Sequence, residues 1–337
     1  MKLWFERGAW ASKQGRKKVA NISITEVRSV AIIRHAALGD MVLLRPFIFE
    51  LRRFFPNASI TLSIVSNYTY GVPEELIDRL HVIHGNDQRE IPKWQQFKKI
   101  KELGEHDIIF DMASTSRSHL VTLLNKARIK VGFPYRSALR RLLYDVAVLR
   151  SDFRFEADTM MDMLHVFGCD SRYPLQFELD IKAPLYQQPY IVYFPSASTK
   201  NKCWPLSHFS ELVKQQSEEY QSYQHIVLEG IAEWESIDEI IEPLKNSKNV
   251  TGIKAKDLNN TLNLIKHAKL LVSNDTGIRN LAIAADTSTL GIFFTTIPYR
   301  YWPRGSKHEA VFESDGSIPG VNKVKHKLDK LLKETGA

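Results

Sequence analysis

The stretch from Val30 to Pro56, VAIIRHAALGDMVLLRPFIFELRRFFP, decides how the rest of the chain is read. An apolar run, Val30-Ala31-Ile32-Ile33, gives way to small residues and a glycine at Ala36-Ala37-Leu38-Gly39, and an amphipathic pattern then continues to Pro56. That is strand, turn, helix. Such a turn stands at the carboxyl edge of a parallel sheet, where open α/β folds bind ligands and where a helix N-terminus faces them. Asp40 directly follows Gly39. A carboxylate in that place serves either as a helix N-cap or as a general base toward a hydroxyl nucleophile.

Working outward, Ser59–Val65 is a β-branched run that makes the unit βαβ, residues 74–84 read as a short helix and a strand, and Asp107–Asp111 as a further buried strand. A polar loop, Ser114–Ser118, leads into an amphipathic helix through Lys126. Residues 171–189 hold Pro174, Pro184 and Pro189 with little periodicity, which marks a linker. A second series then begins with the strand Tyr190–Phe194 and a helix from about Leu206. Strands at His225–Leu228, Leu270–Val272 and Leu290–Phe294 and helices over Glu233–Leu244 and Leu258–Ala268 continue it. Strands alternating with helices predict two parallel sheets of similar size, and 337 residues suit two domains. Neither series carries a dinucleotide fingerprint GxGxxG or a phosphate loop GxxxxGK[ST].

Composition excludes a disordered or fibrous chain, with 44% hydrophobic and 25% charged residues. Cys169 and Cys203 form no framework and no metal-ligand spacing, which fits a reducing compartment. There is no signal-peptide pattern and no run of about 18 apolar residues, so the expectation is a cytosolic protein. Residues 1–168 carry 26 Lys/Arg against 18 Asp/Glu, and residues 169–337 carry 20 against 20. The net charge of +8 therefore belongs to the first half, which suggests an anionic partner, although scattered basic residues also simply solubilise a surface. Residues 1–24 mix Trp4, Phe5 and Trp10 with six Lys/Arg, as a segment lying on an anionic membrane does, or a loose basic tail. Arg136, Arg140, Arg141 and Arg150 cluster in a second basic stretch, where a helix starting near Ser137 would group guanidiniums suited to carboxylates or phosphates, or only a solvated face.

Three loops at strand carboxyl ends concentrate polar groups. The first is His35–Asp40. The second, Phe194–Pro205, offers Ser196, Ser198, Thr199, Lys200 and Lys202 before a helix, chemistry suited to a diphosphate. In the third, Ser273-Asn274-Asp275-Thr276-Gly277 ends a strand and a helix begins at once, so backbone N–H groups stand ready for an anion and Asp275 for sugar hydroxyls. Each loop alone also fits an ordinary cap or turn.

Together the three loops resemble the heptosyltransferase family of bacterial lipopolysaccharide assembly, glycosyltransferase family 9. The likeness rests on residues 38–65, 192–213, 228–235 and 270–294, in order and spacing, and covers roughly residues 29 to 310. It implies a GT-B fold of two Rossmann-like domains facing each other across a cleft, with an acceptor domain at 25–170 after the tail 1–24. The linker 171–189, a nucleotide-sugar domain at 190–310 and a C-terminal helix at 311–337 that can pack back on the first domain complete the division. It also implies metal-independent, inverting transfer without a cofactor, with ADP-heptose or another nucleotide sugar as donor. The acceptor would be a lipid-linked anionic glycan of the inner core at the cytoplasmic face of the inner membrane; no nucleic-acid partner is expected, because the basic residues come without a recognised binding motif. The GD aspartate of the family matches Asp40 as base, the diphosphate lysine before Trp-Pro matches Lys202, and the nearby hydroxyl matches Ser198. The DTG motif matches Asp275, Thr276 and Gly277; a ribose-binding acid matches Glu233, with Glu235 as competitor; and Arg136, Arg140 and Arg141 would face the acceptor.

Two departures bear on the donor. A histidine common three residues after the DTG glycine is Asn280 here, with Arg279 beside it to supply the charge, and the expected Phe-Gly-Pro turn reads Phe294-Thr295-Thr296. A non-catalytic nucleotide-sugar or glycan-binding protein of the same fold is the alternative these changes motivate.

Overall fold

The structure, a computed structural model, describes residues 9–133, 143–179, 183–184, 186–255, 257–303, 305 and 307–334. The chain divides into two compact units, Met1–Glu178 and Leu179–Ala337.

The first unit runs β1 (Trp10–Ala11), α1 (Lys13–Ala20), β2 (Ser29–Ile33), α2 (Leu38–Phe54), β3 (Ser59–Val65), β4 (Arg79–Ile83), α3 (Lys93–Lys101), β5 (His106–Asp111), α4 (Ser116–Leu124), β6 (Ala127–Gly132), β7 (Val146–Ala147) and α5 (Glu156–His165). Its sheet has the order β1-β7-β6-β5-β2-β3-β4 and is parallel except for β1. Val30, Ala31, Ile32 and Ile33 are fully buried because helices cover both faces of a central parallel strand, which is why that run is continuous rather than alternating. Arg45, inside α2, donates to the carbonyls of Phe177 and Glu178 and pairs with Glu75 at 2.6 Å, so the end of the unit is tied to its central helix.

From Trp10 onward the N-terminal stretch is built into the sheet rather than a loose tail. Trp10 and Ala11 pair antiparallel with Ala147 and Val146, the Ser12 hydroxyl accepts the Gly15 N–H at 2.7 Å to cap α1, and Lys18 meets Asp145 at 2.9 Å. Residues 9–20 thus cover an edge that would otherwise leave backbone groups unpaired. The helix expected near Ser137 lies outside the described residues.

The second unit runs β8 (Tyr190–Phe194), α6 (Leu206–Glu219), β9 (Gln224–Glu229), α7 (Asp238–Ile241), β10 (Val250–Lys254), α8 (Leu258–Lys266), β11 (Leu270–Asn274), α9 (Gly277–Ala284), β12 (Thr289–Ile292), β13 (His308–Val311) and α10 (Val321–Glu334). Its sheet is parallel, in the order β10-β9-β8-β11-β12-β13. The helix expected over 233–244 is instead two 3-10 turns, Glu233–Glu235 and Glu242–Leu244, on either side of the four-residue α7, and Pro243, which has no N–H to donate, stands in the second turn. The C-terminal helix belongs to the second unit. Val321, Val324, Leu328, Leu331 and Leu332 of α10 join the core made by Tyr193, Trp204, Phe209 and Val311 of the second.

In each sheet the chain leaves a central strand toward one side and returns on the other, between β2 and β5 in the first and between β8 and β11 in the second. Loops at the carboxyl ends of those strands flank the crevices where such sheets hold ligands.

Candidate functional site

In the first unit, β2 ends at Ile33, the backbone turns, and α2 starts at Leu38 with Ala37 as its N-cap and no side-chain cap bond. Asp40 is therefore not the cap. It stands in the first helical turn, where the positive end of the helix dipole favours a carboxylate. Its Oδ1 accepts from Arg34 Nη2 at 3.0 Å, and its side chain keeps 28% of its surface exposed against 2% for Arg34. Arg34 is in turn fixed from behind: Nη1 donates to the Met112 carbonyl at 2.9 Å, and both Nη1 and Nη2 donate to Glu156 Oε1 at 3.2 Å. Glu156, fully buried in the first turn of α5, also accepts from Arg150 Nη2 at 2.8 Å. Arg150, Glu156, Arg34 and Asp40 thus alternate in sign, and only the last presents its charge substantially to solvent. Arg150, grouped at the sequence level with the acceptor arginines, directs its guanidinium to Glu156 and over the Phe133 ring at 4.8 Å.

His35, next in sequence, has both ring nitrogens buried and without a hydrogen-bond partner among the described residues. Burial, reinforced by Arg117 and His81, pushes its pKa down to about 3, so the ring is neutral at ordinary pH. At the end of β5, the buried Asp111 accepts from the N–H groups of Ala113 and Ser114, from the hydroxyls of Ser118 and Thr122, and from Tyr144 Oη at 2.6 Å. The polar loop at Ser114–Ser118 is accordingly folded around an internal carboxylate. Arg136, Arg140 and Arg141 lie outside the described residues.

In the second unit, Asn274 joins two of the predicted loops: Nδ2 donates to the Pro195 carbonyl at 2.5 Å, and Oδ1 accepts the Trp204 N–H at 2.9 Å. This brings Lys202 beside Asp275, Nζ to Oδ2 at 3.3 Å, with the Thr296 hydroxyl donating to the same oxygen at 2.6 Å. Thr276 is the N-cap of α9 and makes no side-chain cap bond, so among the described residues the leading N–H groups of that helix have no side-chain cap, with Lys202 paired to the adjacent Asp275. A lysine, an open helix N-terminus and a carboxylate with two neighbouring hydroxyl-bearing residues are what a sugar diphosphate needs. Ser198 is exposed on the same loop.

The two acid candidates part company. Glu235 Oε2 accepts the Ala232 N–H at 2.9 Å, and its carboxylate fills the space where a side chain on Gly230 would go, so it closes the loop. Glu233 is exposed. Arg279 and Asn280 are buried within α9. The Arg279 guanidinium donates to the Tyr301 carbonyl and lies over the Phe293 ring at 5.2 Å, and burial lowers its pKa to about 10. It stays cationic but turns inward, beneath the 294–302 loop, rather than standing in for an exposed histidine. Among the described residues no group of three His, Cys, Asp or Glu could hold a metal ion.

The residues that sequence reasoning missed are Arg34 and Glu156. Arg34 lay inside the quoted stretch, and a charged residue ending an apolar strand was the available signal.

Two parallel-sheet units with polar loops at their switch points define a GT-B fold. Solved structures share it: an E. coli heptosyltransferase WaaC structure with ADP-2-deoxy-2-fluoro heptose has a TM-score of 0.72 at 17% identity, covering 90% of this chain and 99% of that one. E. coli ADP-heptose lps heptosyltransferase II has a TM-score of 0.66 at 18% identity, covering 92% and 100%. The E. coli lipopolysaccharide heptosyltransferase 3 is 24% identical over 298 residues, 78% of this chain and 83% of that protein. The family model for glycosyltransferase family 9 (heptosyltransferase) matches residues 96–330, and the chain belongs to that family. It is a glycosyltransferase.

Proposed function

We propose that this enzyme moves a heptose from an ADP-linked donor to a hydroxyl of the lipopolysaccharide inner core, with inversion at the anomeric carbon. The observation that carries the reading is Asp40: a partly exposed carboxylate in the first turn of α2, held by the buried guanidinium of Arg34. The acceptor oxygen attacks the anomeric carbon as the bond from that carbon to the diphosphate breaks; Asp40 takes the hydroxyl proton, and ADP leaves. A single displacement of this kind inverts the centre. In the second unit Lys202, Ser198 and the N–H groups at Thr276 and Gly277 would meet the diphosphate's charge in place of a metal ion, Asp275 the sugar hydroxyls, and Glu233 the ribose. ADP-heptose is favoured as donor because a structurally similar enzyme has been solved with a fluorinated form of it. Arg136, Arg140 and Arg141 are proposed to face the anionic acceptor, with the enzyme working at the cytoplasmic face of the inner membrane.

Asp40→Asn keeps the shape and removes the base. Turnover with ADP-heptose and a heptose-deficient core acceptor should fall about 10²–10⁴-fold, with melting temperature and ADP affinity unchanged. Wild-type turnover in that variant would remove Asp40 from the mechanism, and tight donor binding by the wild type without turnover on any core acceptor would favour a binding protein.

A further inference from the structure

The second half of the first unit presents a helix whose outer face is composed against the usual rule. α3, KWQQFKKIK, packs inward through Ile100, beside α4 and against β4. Trp94 is 66% exposed and Phe97 is 44% exposed. At about 100° per residue, Phe97, Lys101, Trp94 and Lys98 follow one another across the outward surface, with Lys93 at its margin. An ordinary solvent-facing helix hides its aromatic rings and shows only its charges; here rings and ammoniums interleave on one face. Among the described residues Lys93, Lys98 and Lys101 form no ion pair, whereas Lys99, on the flank, is neutralised by Glu102 at 2.7 Å. The neighbouring α4 adds Leu123, 57% exposed.

We infer that α3 is the surface by which this protein docks on an anionic lipid bilayer. Trp and Phe rings partition into the headgroup and upper acyl region, while lysines spaced between them meet anionic headgroups, so one helix face supplies both contributions that peripheral binding needs. The basic excess of the first half of the chain has the complementary sign. The other aromatic and basic stretch suited to this role, at the N-terminus, is built into the sheet edge from Trp10 onward. The inference deepens the membrane-surface part of the proposed function and does not depend on Asp40 being the base.

The test is co-sedimentation of the full chain with phosphatidylcholine vesicles with and without phosphatidylglycerol. Wild type should bind the phosphatidylglycerol vesicles, while Trp94→Ala/Phe97→Ala and Lys98→Gln/Lys101→Gln should each lower the partition coefficient about tenfold or more. Both variants should keep wild-type circular dichroism and wild-type transfer to a soluble, delipidated acceptor. Failure of the wild type to bind, or wild-type binding by both variants, overturns the inference. So does a dimer in sedimentation velocity that Trp94→Ala/Phe97→Ala dissolves, since the face would then belong to a second copy. Absence of transfer by the wild type on every acceptor would count against the proposed reaction and leave the vesicle result standing.

Discussion

Glu156 is buried between two guanidiniums and holds the one that touches Asp40. Removing one partner of such a buried group leaves the others uncompensated, so Glu156→Gln should cost about 3–5 kcal/mol in urea unfolding. It should also lower kcat while leaving the affinity for ADP unchanged, because Arg34 loses its fixed orientation and nothing in the second unit is altered. A variant with wild-type stability and kcat would show that Met112 and the surrounding packing suffice to hold Arg34. Asp40 itself was legible, since a carboxylate after a glycine turn is a local signal. Its partner was not: Arg34 and Glu156 stand 122 residues apart, and a buried ion pair leaves no periodicity in the chain. Arg279 shows the converse, a residue whose local context suggested an exposed cation until the 294–302 loop was folded over it.

At the scale of elements, the strands that read clearly are the central ones. β2, β3, β5, β8, β9 and β11 are mostly buried strands with apolar centres, and burial on both faces is what makes such a run continuous. β10 was missed because it is an edge strand with largely exposed residues, and β1, β7 and β13 because two to four residues are too few to show a period. Gly291 in β12 belongs with this packing. A methyl group there would run into the Arg279 side chain and the Phe293 ring, both inside the second unit. Gly291→Ala should therefore destabilise that unit by about 1–3 kcal/mol and weaken the protection that ADP gives against thermal unfolding. An unchanged melting curve with and without ADP would mean that Arg279 is free to move aside.

Across the whole molecule, neutral histidines are buried in both units. Burial pushes His225 and His308 down to about 4 and His35 to about 3, from an ordinary value of 6.5. Such rings protonate more readily in the unfolded chain, so as pH drops below about 6.5 the unfolded state takes up protons first. Stability should be whole above that pH and fall by about 1.4 kcal/mol per pH unit for each such ring on the way to about 4. Urea midpoints between pH 7.5 and 5 check this, and His308→Gln should flatten the slope; a flat wild-type profile would mean these rings are protonated in the fold. The two-domain plan was visible in the repeated βα pattern, but the seat of the last helix was not, because an amphipathic stripe shows that a helix packs without showing where. That seat has a consequence for how the protein is made. Trp204 and Phe209 leave the ribosome more than a hundred residues before Val324 and Leu328, which cover them. At translation rates of about 5–20 residues per second, the core of the second unit stays unsealed for roughly 10 s. During that interval a nascent chain whose first unit is already complete carries the uncovered apolar surface of the second, the condition under which chains folding domain by domain are most prone to aggregate.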